Sequence, residues 1–258
     1  MPVNIKLGLG INSGGGARFT PKKISGLALW LDASDLSTIT KDGSNYVSQW
    51  NDKSGKGFNV VQATGSAQPL WASNTIAFNG VVNGLVSATN LDVLKNKSGG
   101  TFIIVGKLST GIGTGKPLVI VTINGSAVAS RLSVTSGDSV ASAVRAGGRR
   151  LDANTFAGTV QEAVTLDTNY IFTGIADYAN AKAYMYVNNV LESTLDPFQT
   201  AGNTSDTAAN AISIGSNNDL SVLTKCVINE VILYEKVLTS NELSRVNQYL
   251  SRKWSVTI

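Results

Sequence analysis

Apolar residues along this chain fall into short runs separated by clusters of Gly, Asn, Asp and Ser, and a helical period appears only near the end. Short β-branched and aromatic runs bounded by such clusters read as strands. The strand candidates are Leu27–Leu31, Tyr46–Trp50, Ile76–Phe78, Thr101–Leu108, Pro117–Ile123, Ser130–Val134, Val160–Leu166, Tyr170–Tyr178, Lys182–Val187, Ala211–Ile214 and Cys226–Tyr234. The segments DGSN, DKSGKG, KSGG, INGSA and TSGD supply turns, and Asn188-Asn189 in YMYVNNVLES has the make-up of a two-residue hairpin turn. Residues 200–210, TAGNTSDTAAN, read as a polar loop. Many short strands at this spacing predict an all-β sandwich or barrel.

The helical period begins at Thr239. Thr239 with Glu242 matches a capping box, and Leu243, Val246, Tyr249 and Leu250 then share one face. A helix over about 240–253 is expected to lay that face on the sandwich, with Trp254 closing the contact.

At the other end, Val3, Ile5, Leu7, Leu9 and Ile11 alternate with Asn, Lys and Gly before the glycine linker NSGGGAR. That is a strand with one apolar face on a flexible tether. A lone strand cannot bury its face, so it must join this chain's sheet or another chain's. The expected organisation is an arm over residues 1–23 and a domain over 24–258.

Charge sharpens that division. The chain has 21 Lys+Arg and 17 Asp+Glu. Lys6, Arg18, Lys22 and Lys23 lie in the first 25 residues, which hold no acid; removing those four leaves 17 basic residues against 17 acidic ones. The basic excess therefore belongs to the arm and does not mark a nucleic-acid-binding domain. It suits docking on an acidic partner. Only 15% of residues are charged, against roughly 25% in ordinary soluble domains.

The chain has no His and a single Cys, Cys226, which excludes a Ser-His-Asp triad, His-based or paired-Cys zinc sites and an intrachain disulfide. Cys226 lies in the apolar run KCVINEVILY and reads as a buried small hydrophobe. No stretch reads as a signal peptide or a membrane span, so synthesis without a leader and no membrane contact are expected. TGIGTGKP (110–117) fails as a phosphate loop, because Thr110 takes the first glycine position and Pro117 follows the Lys; it reads as a hairpin loop. The run RAGGRRLD, with Arg145, Arg149 and Arg150, reads as a loop able to meet an anion. Trp30 and Trp50 lie in strand-like runs and read as core. Asp32, Asp35 and Asp52 sit at strand ends beside Ser and Gly and read as Asx-turn formers, with a calcium site as the rival reading.

The opening Gly26-Leu27-Ala28-Leu29-Trp30-Leu31-Asp32-Ala33-Ser34-Asp35, followed by Val47-Ser48-Gln49-Trp50-Asn51-Asp52-Lys53-Ser54-Gly55-Lys56-Gly57 and Gln62, resembles the concanavalin A-like lectin/glucanase superfamily. It is most similar to the laminin-G-like jelly-roll domains of bacteriophage and bacterial surface proteins. Pro69, Phe78-Asn79-Gly80 and the closing segment Asn229–Tyr234, Val237-Leu238-Thr239, Glu242, Val246, Tyr249-Leu250 and Lys253-Trp254 fit as well. The resemblance implies a two-sheet antiparallel β-sandwich, a jelly roll, with one C-terminal helix. It does not imply one function, because the fold hosts lectins, glycosidases and structural modules.

The Glu-x-Asp-x-x-Glu pattern of the glucanases is missing, and Glu162, Asp167 and Glu192 are isolated; Glu230 and Glu235 fall on opposite strand faces. No enzymatic activity and no cofactor are expected. The resemblance and the arm together lead to the expectation of a bacteriophage virion protein, a capsid decoration or tail-fibre component. Residues 1–23 would dock on other virion proteins within a homo-oligomer or larger assembly. The alternatives are an adhesin binding host glycans, with Trp71, Tyr178 and Arg145, Arg149 and Arg150 as candidate contacts, and a glycan hydrolase.

Overall fold

A computed structural model of the chain describes residues 18–87, 91–122, 130–151, 156–160, 162–206 and 211–258. The alternating segment, with Val3, Ile5, Lys6, Leu7, Leu9 and Ile11, lies outside these residues. Along the described chain run β1 (Leu27–Asp32), β2 (Ile39–Lys41), β3 (Val47–Trp50), β4 (Val60–Val61), β5 (Leu70–Ala72), β6 (Thr75–Asn79), β7 (Leu85–Ser87), β8 (Gly99–Leu108) and β9 (Pro117–Thr122). They are followed by β10 (Arg131–Ser136), β11 (Ala143–Arg149), β12 (Ala157–Gly158), β13 (Glu162–Ala163), β14 (Tyr170–Asp177), β15 (Lys182–Val187), β16 (Val190–Leu195), β17 (Ala211–Ile214), β18 (Lys225–Tyr234) and α1 (Ser240–Trp254).

The strands form two antiparallel sheets, as expected. The first has the order β16-β15-β14-β8-β18-β6-β5, with β1 also paired to β18; the second has the order β12-β11-β10-β9-β17-β7-β4-β3-β2, with β13 on β11. Inward side chains of the first sheet, among them Leu29, Leu31, Phe102, Ile104, Phe172, Val231 and Leu233, pack against Leu132, Val134, Val144, Ile212, Ile214 and Trp50 of the second. Outward side chains of the first sheet, including Ile103, Val105, Ile171, Ile175, Ile232 and Tyr234, meet Leu243, Val246 and Leu250 of α1. The central strands of the first sheet are thus covered on both faces, which is why they read as near-continuous apolar runs. Each of the three helix residues contributes roughly 1.5–3 kcal/mol by leaving water. The capping box of Thr239 and Glu242 forms as the sequence predicts. Asn188 (φ 49°) and Asn189 (φ 66°) make the two-residue turn between β15 and β16, and the Asn188 side chain also accepts from the Ile171 N–H at 2.9 Å.

Three expectations need correction. RAGGRRLD is not a loop: Ala143–Arg149 is β11, paired with β10 along its length, and its inward Val144 and Ala146 are buried. TGIGTGKP is not a hairpin loop, because β8 and β9, which it joins, belong to different sheets. Among the described residues of the Val160–Leu166 run, only Glu162–Ala163 pairs as a strand. Trp30 and Trp50 are both buried, as expected: Trp50 lies between the sheets, and Trp30 lies under α1 on the outer face of the first sheet.

Candidate binding groove beside the C-terminal helix

The antiparallel register of β1 and β18 sets Asp32 directly opposite Glu230, with Trp30 opposite Ile232. Two carboxylates facing each other across a ladder repel unless a cation intervenes. The last turn of α1 supplies one. Lys253 Nζ lies 2.7 Å from an oxygen of Asp32 and 2.7 Å from an oxygen of Glu230. The same turn brings Tyr249, whose hydroxyl donates to Glu230 at 2.9 Å, and Trp254, whose indole N–H donates at 2.7 Å. Trp30 adds a further indole N–H at 2.7 Å. Glu230 is fully buried and meets four donors.

A second ammonium comes from the DKSGKG loop. Lys53 Nζ sits 2.8 Å from Asp32, 2.7 Å from Asp35 and 4.4 Å from the centre of the Trp30 ring. Asp52 holds that loop in place by accepting the N–H groups of Trp30, Ser54, Gly57 and Phe58 at 2.8–3.2 Å. It behaves as the turn former its position predicts. Asp32 and Asp35 likewise accept from Ser34 and Ser37, but each is also ion-paired. Among the described residues no group of three His, Cys, Asp or Glu side chains is placed to hold a metal.

Burial pushes the Glu230 carboxyl above the usual carboxylate range, against the pull of Lys253. Burial acts on Asp32 in the same direction, but its bonds to Lys253, Lys53 and Ser34 outweigh it and hold that carboxyl below its usual value. The Tyr249 hydroxyl is pushed up by burial and by Glu230.

Above this floor opens a cleft of about 510 Å³ between α1, β1 and residues 18–20. Phe19 and Tyr249 give it aromatic surface over the buried Trp30; Arg18, Arg245, Gln248 and Arg252 give it exposed donors. The Phe19 ring stands edge-on to Tyr249 at 6.0 Å, and the Arg245 guanidinium lies 5.0 Å from the Phe19 ring centre. An apolar body with a few convergent polar groups is the general make-up of a small-ligand site.

Of the arm residues, Arg18 lines this groove, while Lys22 and Lys23 are exposed on the short helical turn Pro21–Lys23. The other candidate contacts lie elsewhere. Tyr178 is fully buried, with its hydroxyl donating to the Arg131 carbonyl at 2.6 Å, so it offers no surface to a ligand. Trp71 is half-buried and donates its indole N–H to the Ala33 carbonyl at 2.9 Å. Arg145 pairs with Asp138 at 2.5 Å and stacks on Phe156 with Arg131. Arg149 faces Arg131 across the ladder, and Arg150 donates to the Asn203 carbonyl and to Thr200, both at 2.9 Å. Glu230, Lys53, Tyr249, Arg245 and Arg252 were not candidates from sequence. The one signal was Glu230 itself, an acid inside an apolar run, which implies a buried cation partner.

No protein-family model matches the chain, and no curated protein matches it. Solved structures do. A Trypanosoma rangeli sialidase in complex with sialic acid is similar with a TM-score of 0.58 at 17% identity, over 89% of this chain and 33% of the sialidase. The receptor binding domain of botulinum neurotoxin D is similar with a TM-score of 0.58 at 11% identity, over 87% of this chain and 52% of that one. This chain thus spans about a third and about half of those lengths, and the likeness shows a shared fold. It corrects one expectation. A chain without enzymatic activity was expected from the missing glucanase pattern, yet the proteins sharing the fold include sialidases, which are enzymes. The missing pattern excludes only the glucanase arrangement of carboxylates.

Proposed function

We propose that this sandwich is a carbohydrate-binding domain and that the groove beside α1 holds the sugar. The observation that carries the reading is the groove itself: Phe19 and Tyr249 beside the donors of Arg18, Arg245, Gln248 and Arg252, in a cleft of about 510 Å³. Sugar rings have apolar faces that stack on aromatic side chains and hydroxyls that need such donors. The fold shared with a sialidase bound to sialic acid and with a toxin's receptor binding domain supports it. Binding of the full chain to a glycan array is the test, repeated with Gln248→Ala and Arg252→Ser. Both side chains are exposed, so the variants should keep the wild-type melting temperature and lose binding. A bound glycan indifferent to both substitutions places the site elsewhere, and no bound glycan refutes the reading.

Glycan hydrolysis is a second reading, favoured by the placement of Asp32 directly opposite Glu230. Lys253 holds an oxygen of Asp32 and one of Glu230 at 2.7 Å each, so the two oxygens are at most twice that apart. Retaining glycosidases place their two carboxyl groups at about 5–5.5 Å. Glu230 is fully buried, so this chemistry requires its exposure. Release of reducing sugar from a bound glycan measures it, and intact product after prolonged incubation excludes it.

The arm supports a separate proposal, attachment to partner proteins of a phage particle. It rests on the basic excess of the first 25 residues and the alternation at 3–11. Deleting residues 1–17 together with Lys22→Ala and Lys23→Ala should abolish association with particles; a chain so altered that still associates refutes it.

A further inference from the structure

We infer that the groove selects saccharides bearing an anionic group, a carboxylate or a sulfate. The inference rests on the glycan-binding reading and adds the ligand class. It follows from where the groove's charges are already used.

Among the described residues five cationic side chains line the cleft, and two of them are committed. Lys53 bridges Asp32 and Asp35, and Lys253 bridges Asp32 and Glu230. Arg18, Arg245 and Arg252 form no ion pair with any described carboxylate, and all three are exposed. Arg245 and Arg252 are seven residues apart in α1, two turns along one face, and so stand about 10 Å apart along the helix axis. Gln248, one turn after Arg245, lies on the same side. Arg18 comes from the opposite wall.

The acids of the site cannot relieve these guanidinium groups. Asp32 and Glu230 are buried in the floor and hold the two lysines. Arg245 is further oriented by the Phe19 ring beneath it. A neutral sugar would gain stacking from Tyr249 and Phe19 but would leave the positive charge unpaired. A carboxylate or sulfate on the ring meets planar donors that bind such groups through two hydrogen bonds at once. Both anions share that chemistry, and matched ligands separate them.

The experiment measures affinities of the full-length protein for paired ligands: an oligogalacturonate against the neutral galacto-oligosaccharide, sialyllactose against lactose, and a sulfated glycosaminoglycan fragment against its desulfated form. At least one acidic member should bind about tenfold more tightly than its neutral partner, the worth of one charge-assisted hydrogen bond. That preference should shrink as sodium chloride rises from about 50 to 300 mM, as expected for exposed charges. Arg245→Gln with Arg252→Gln should bring the ratio of acidic to neutral affinity down to about one while leaving the melting temperature unchanged. Equal affinities within every pair overturn the inference and leave the glycan-binding reading standing. An absence of binding by all six ligands, together with an empty array, removes both. Single-stranded DNA held as tightly as the best acidic sugar also overturns the inference, because it reveals a non-specific polyanion site.

Discussion

Asp32 and Glu230 sit opposite one another, share Lys253 and respond to pH in opposite senses. Asp32 is held below its ordinary value of 3.8 by Lys253 and Lys53, despite burial. It therefore adds stability above that pH and loses it as pH falls through the folded-state value. Glu230 is pushed upward by burial, so the folded chain binds its proton more tightly than the unfolded chain does. Its contribution falls as pH rises from the ordinary carboxylate value through the raised one. Lys253 is what makes the ionised Glu230 tolerable. Lys253→Met should cost about 3–5 kcal/mol at neutral pH, the scale for a buried charge that loses its partner. The cost should shrink near pH 4.5, where Glu230 can take up a proton. Urea midpoints at the two pH values check this, and an equal loss at both would show that Lys253 acts through packing alone.

Among the elements, strands with continuous or cleanly alternating apolar residues were legible from sequence, β15 among them, and strands whose outward positions carry Arg and Gly were not. β8, β14 and β18 read as strands because α1 covers what would otherwise be a solvent face. β11 did not, because its outward positions hold Arg145, Gly147 and Arg149, which imitate a loop. The helix was legible down to its cap, since a capping box and a helical period are local signals. The groove was not legible, because no local pattern joins Trp30 to Glu230, 200 residues away; only the β1–β18 register brings them together. Backbone punctuation also has tertiary causes. Gly215, directly after β17, has φ +69° and its α-carbon faces the Phe78 ring, where an added Cβ would lie 2.3 Å from a ring atom. Gly215→Ala should destabilise by more than about 2 kcal/mol, from backbone strain and overpacking together. Chemical denaturation of the variant measures this, and a loss under about 0.5 kcal/mol, within the usual range for benign surface changes, would refute it.

In the whole molecule, the described beginning of the chain belongs to the sandwich as much as its end does. Pro21 and Ile24 are buried, Phe19 packs on Tyr249, and the Tyr234 hydroxyl donates to the Pro21 carbonyl at 3.0 Å. Removing residues 1–24 should therefore lower the melting temperature by several degrees relative to removing 1–17, on the scale of a few kcal/mol in a domain this large. Calorimetry on the two truncations decides it, and equal melting temperatures would show that residues 18–24 add nothing to stability. The pairing of first strand with last has a mechanical side. Leu27, where β1 begins, is registered with Tyr234, where β18 ends. Tension on the two ends therefore meets this ladder from one side. Once α1 has peeled away, the load falls on one hydrogen bond after another, like a zipper opened from its pull, and never on the whole row in shear.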